Sequence, residues 1–96
     1  MQFEDLIDSL REDQPPSTLS LELQSLWWDR KGNWEKAHEL AQKANSREGD
    51  WIHAYLHRQE GDLGNAGYWY SKANRKITDK NLSAEWEDIV KTFINE

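Results

Sequence analysis

The sequence predicts an all-α protein of about six helices, and three observations carry that prediction. Apolar residues recur at helical spacing in segment after segment, which places them on one face of each helix. The segments are separated by residues that stop one helix and start the next: Pro15-Pro16, Gly32-Asn33 and Gly61-Asp62. No run alternates apolar and polar residues in the manner of a half-buried strand.

Phe3, Leu6, Ile7 and Leu10 form the apolar face of a first helix that ends before Gln14-Pro15-Pro16. After the prolines, Ser17 or Thr18 is placed to cap a second helix. Leu19, Leu23, Leu26 and Trp27 share one of its faces, and Leu21 and Trp28 lie on another, so this helix needs two neighbours. Gly32 ends it and Asn33 caps a third, which makes the pair an antiparallel hairpin. In the third helix Trp34, Ala37, Leu40, Ala41 and Ala44 line up, and the alanines allow a close helix crossing. Residues 45–49 read as a connector, with Asp50 capping a fourth helix over Trp51 to Glu60. That helix is apolar round more than half its circumference and is therefore expected at the centre of the fold. A fifth, about Leu63 to Asn74, buries Ala66, Trp69, Tyr70 and Ala73 and leaves Tyr68 outside. Ser83 is placed to cap a last helix with a Trp86, Ile89, Val90, Phe93 stripe. Within one domain, 1–96, the expected units are an N-terminal helix (1–13), two hairpins (18–45 and 50–75) and a C-terminal helix (83–95).

The chain is lean in apolar residues, 36% against 31% charged, and six tryptophans compensate because each buried ring removes much surface from water. A formal charge of -6 with no basic run opposes counterion-release binding, so nucleic acid is not an expected partner. The absence of cysteine removes disulfides and thiolate metal sites. No apolar run approaches the roughly 20 residues that span a bilayer, and acids at 4, 5, 8 and 12 do not suit a signal peptide. A cytoplasmic protein with no membrane partner is the expectation.

Laying Leu23–Asn45 on Ile52–Asn74, an offset of 29, aligns Gly32 with Gly61, Ala37 with Ala66 and Lys43-Ala44-Asn45 with Lys72-Ala73-Asn74. These are the turn and crossing positions that a hairpin repeat constrains most. Gly-Asn-Trp-Glu-Lys-Ala at 32–37 and Gly61-Asp62-Leu63-Gly64-Asn65-Ala66 resemble the turn and second helix of tetratricopeptide or Sel1-like repeats, over residues 19–75. The period is shorter than the usual 34 residues, and the closing proline is missing. Two segments, LWWDRKGNWEKAHELA and WIHAYLHRQEGDLGNAGYWY, are also similar to a family of small, functionally uncharacterised bacterial proteins, a similarity that implies no activity. The repeat resemblance implies a peptide-binding face carrying Glu22, Leu26, Asp29 and Arg30 from the first unit. Trp51, Tyr55, Arg58 and Gln59 come from the second, and exposed Tyr68 is a further binding candidate. The terminal helices either leave that face open or fold across it; the sequence does not decide.

His53 and His57 stand one helical turn apart, the spacing at which two imidazoles reach one metal, with His38, Glu60 and Asp62 as further ligand candidates. The competing reading packs both histidines against the fifth helix, bonded to tyrosine or carboxylate, and it is the favoured one because His57 aligns with Trp28 in the repeat. Neither Trp27-Trp28 nor Tyr68-Trp69-Tyr70 makes a flat stacking platform, since adjacent helical positions diverge by about 100°. Asp29 and Arg58 are placed to pair across the units. No nucleophile or second catalytic group stands at diagnostic spacing, so the residues lean against an enzyme without deciding it, and no cofactor is expected. The expected function is protein or peptide interaction, or association with a second copy. A metal or small-molecule site at His53 and His57, in a pocket between the hairpins, is the alternative.

Overall fold

A computed structural model describes residues 1–94. It contains six helices and, among the described residues, no strand: α1 (Phe3–Ser9), α2 (Leu21–Arg30), α3 (Trp34–Ala44), α4 (Arg47–Gln59), α5 (Leu63–Lys72) and α6 (Leu82–Ile94). The all-α class and the six-helix count are as the periodicity implied. The expected end of the last helix, at 95, lies outside the described residues.

Helices α2/α3 and α4/α5 form two hairpins with matching turns. Gly32 and Gly61 both take positive φ, +89° and +85°, where a side chain would be strained. Asn33 N bonds Trp28 O as Asp62 N bonds His57 O, both at 2.9 Å. The side chains of Asn33 and Asp62 then cap α3 and α5, accepting from Lys36 N and Asn65 N. Asn45 and Asn74 close the hairpins in the left-handed region, with φ of 45° and 58°.

Helix α4 is the centre. Every residue from Trp51 to His57 is buried, and α4 packs against α2, α3, α5 and α6. Its start departs from the expectation. Ser46, not Asp50, is the cap, accepting from Gly49 N at 2.9 Å, so the connector shrinks to Asn45-Ser46. Gly49 is inside the helix because a Cβ there would stand 2.8 Å from Ala41 O. The α3–α4 crossing is too tight for any side chain. Two other caps also move. Ser20 rather than Ser17 or Thr18 caps α2, accepting from Leu23 N, and Asn81 rather than Ser83 accepts from Ala84 N at the start of α6. In both cases the residue at N-cap spacing from a free helical N–H wins over the one a turn or two residues away.

Four indole N–H groups tie the layers together, each satisfied as a buried donor must be. Trp27 reaches Ser9 Oγ, Trp34 reaches Leu56 O, Trp51 reaches Glu85 and Trp86 reaches Leu26 O. No helix of the described residues is long and apolar enough to cross a membrane.

Candidate functional site

The face expected to bind a peptide is covered by α6. Trp86, fully buried, donates to Leu26 O at 3.0 Å, and the Arg30 guanidinium lies 4.0 Å over its ring. Leu26, Asp29, Trp51 and Tyr55 are all buried beneath or beside it. The sequence left open whether a terminal helix crosses this face. It does, because Trp86, Ile89 and Val90 form an apolar stripe that needs a partner. Glu22 accepts from Ser46 Oγ at 2.9 Å, and Gln59 remains exposed. Asp29 and Arg58 do not pair with each other. Asp29 accepts from Tyr55 OH at 3.2 Å, and Arg58 Nε donates to Glu85 Oε1 at 2.9 Å.

Glu85 is the acid that composition did not single out. It is buried on α6 and accepts from Trp51 Nε1, from Arg58 Nε and from the Tyr70 hydroxyl at 2.7 Å. Burial and the neighbouring carboxylate push the Tyr70 phenol well above its ordinary range. This network seals the groove with a charge that α4 and α5 satisfy.

The opposite flank of α4 carries a different cluster. His53 and His57 project towards α3 and α5, and His38 comes across from α3 to meet them. One ring nitrogen from each of the three lies within 4.8 Å of the others. His38 Nε2 and His53 Nε2 are 2.8 Å apart. Flat rings hold the group: Trp34 stacks on His38 with centroids 4.8 Å apart, and Trp69 stacks on His53 at 3.9 Å. His57 Nδ1 is 2.6 Å from Glu60 Oε1, which fixes that ring's orientation and leaves its other nitrogen for the cluster.

The packing reading of His53 and His57 accounts for their burial, and the same two rings come near His38. His53 packs against Trp69 of α5 and His57 pairs with the Glu60 carboxylate, while His53 also shares a hydrogen bond with His38. Burial, then the adjacent His38 and His57, push His53 down to about 4. Burial, then His57, lowers His38 too. The 2.8 Å contact between His38 and His53 is a hydrogen bond, so one of the two Nε2 atoms carries a proton that a bound metal would have to displace. For a tetrahedral zinc-class ion, nitrogens at about 2.0–2.1 Å from the metal are about 3.3 Å apart, so His38 and His53, at 2.8 Å, would have to separate to share one. The second acid-rich group, His57, Glu60 and Asp62, shares the His57 ring, but Glu60 and Asp62 are exposed.

Surface hollows lie between Leu19, Glu22, Leu23 and Phe93, and around Arg75, whose guanidinium stands 3.4 Å over Trp51. Tyr68 is 58% exposed, as expected of the residue outside the α5 stripe. Trp27 and Trp28 cross at 79°, and Tyr68 and Trp69 at 89°, so neither pair offers a flat platform.

Comparison with protein-family models, with curated proteins and with solved structures found no match to this chain.

Proposed function

We propose that this protein binds one divalent transition-metal ion of the zinc class through His38, His53 and His57. The observation that carries the reading is the convergence of three imidazoles from two hairpins, with Glu60 orienting one of them. The donor set is all nitrogen. That selects zinc, copper, nickel or cobalt over calcium and magnesium, which take oxygen. One ligand comes from α3 and two from α4, so the ion would staple one hairpin to the other. Calorimetric titration of zinc into the full chain tests this. One ion per chain is expected, with affinity reduced at least tenfold in His38→Gln and in His57→Gln. Circular dichroism establishes that each variant is folded. No uptake, or uptake indifferent to both substitutions, refutes the reading.

Self-association is the second reading, and it takes over the interaction role once assigned to the covered groove. Leu63, Tyr68 and Ile77 are the large apolar side chains exposed on and beside α5. By the 29-residue offset, Leu63 and Gly67 occupy the positions of Trp34 and His38, with which hairpin 1 receives hairpin 2. Hairpin 2 thus presents, with Ile77 beside Gly67, the face that hairpin 1 uses for packing, and a second copy of the chain is the partner that fits it. Light scattering should give twice the chain mass and revert to a monomer in Leu63→Glu. A wild-type monomer at high concentration removes this reading. The lack of cysteine and the net charge of -6 support a cytoplasmic setting without nucleic acid.

A further inference from the structure

The histidine cluster supplies three donors, and a zinc-class ion in a tetrahedral site takes four. Structural zinc sites close the set with protein side chains; reactive ones leave a position for solvent. The side chains near this cluster that could close it each hold another partner, Glu60 through one of its two oxygens only. Glu60 Oε1 is bonded to His57 Nδ1 at 2.6 Å. Asp62 caps α5, with Oδ1 accepting from Asn65 N at 3.3 Å and Oδ2 from Asn65 Nδ2 at 3.4 Å. Trp34 offers only an N–H, which is given to Leu56 O. The chain contains no cysteine.

Burial is uneven round the cluster in a way that bears on access. His53 is covered by Trp69 of α5 and His57 by Trp34 of α3 and by His53, whereas His38 is half-buried and the Glu60 side chain is 41% exposed. Solvent reaches the cluster along the His38–Glu60 edge.

The geometry points to an open metal centre: the fourth donor comes from solution, a water that a small monoanion such as azide or a carboxylate displaces. This rests on the metal-binding reading above and adds to it an exchangeable coordination position at the His38–Glu60 edge. Glu60 acts there as a positioning residue, holding His57 rather than touching the ion. A metal-bound water at such a position is acidified towards neutrality, which is what hydrolytic centres exploit.

The test uses the full chain loaded with one equivalent of cobalt(II), followed by its visible absorption during an azide titration. The expected result is a tetrahedral cobalt spectrum whose band positions shift saturably with azide. Glu60→Gln should keep that azide response while binding cobalt about 10- to 100-fold more weakly, the usual cost of losing such a partner. Cobalt bound one-to-one with no azide response would show that a protein side chain fills the fourth position, and would overturn the inference while leaving metal binding intact. An azide response that appears only in Glu60→Gln would identify Glu60 as that side chain, with the same consequence. Failure to bind cobalt at all would remove the metal-binding reading itself.

Discussion

Replacing Glu85 by alanine isolates the contact that closes α6 over the hairpins. In the folded chain the Glu85 and Arg58 side chains are only 4% and 14% exposed, and their ion pair is 2.9 Å long. Arg58 Nη2 is also buried with no hydrogen-bond partner among the described residues, so the guanidinium depends on Glu85 for most of its compensation. Removing the carboxylate leaves that cation, the Tyr70 hydroxyl and the Trp51 N–H without an acceptor. Breaking a buried pair from one side costs about 3–5 kcal/mol, a large share of the ~5–15 kcal/mol that holds a domain together. With a slope of about 2 kcal/mol per molar urea, the midpoint should fall by about 2 M. Tryptophan fluorescence is the natural reporter, since Trp51 and Trp86 flank the contact. Glu85→Gln, which keeps an acceptor oxygen, should lose roughly half as much. The double variant Arg58→Met, Glu85→Met should recover most of the loss, because it leaves no charge to strand. If Glu85→Ala costs less than about 1 kcal/mol, α6 is not held by this network and the covered groove is only loosely closed.

Gly49→Ala gains about 1 kcal/mol of helix propensity but places a Cβ 2.8 Å from Ala41 O. We expect a net loss of about 1–3 kcal/mol in a thermal melt, and a stabilised variant would contradict the tight α3–α4 crossing. Burial raises the Asp29 carboxyl above its ordinary value, against the lowering effects of Gln59, Tyr55 and Arg30. A folded value above the unfolded one means stability is fully present below pH 3.8 and is lost as pH rises through the folded value. Asp29→Asn should therefore show a flatter stability profile as pH rises above about 4, and should be no less stable at pH 7. A loss of more than about 1 kcal/mol at neutral pH would mean the ionised carboxylate is needed by Tyr55.

Much of the architecture was legible because it depends on local rules. The glycine and Asn/Asp pair at each turn announced both hairpins, and the near-continuous apolar character of Trp51–Leu56 announced the central helix. What escaped depended on packing between distant segments. Gly49 reads as a helix breaker, and only its approach to Ala41 explains why it lies within α4. Glu85 looks like one of many surface acids. Its position one turn before Ile89, on the apolar stripe of α6, was the signal that it faces inward. The histidine cluster was half legible. The His53–His57 spacing marks a shared helix face, and of the three further candidates the residues offered, His38 joins them from 15 residues away. Its clue was a place one turn after Trp34, on the face of α3 that meets α4. Nothing in the residues alone decided whether α6 would cover the groove, since that choice rests on how its stripe competes with solvent and with α1.

The measurement that bears most directly on the central claim is X-ray absorption at the zinc edge of the full chain loaded with one equivalent of zinc. The expected spectrum has a four-donor shell at about 2.0–2.1 Å, with the outer-shell scattering of three imidazole rings. A shell of oxygen donors, or scattering from one imidazole, would place the ion elsewhere on the acidic surface and leave the three histidines as packing.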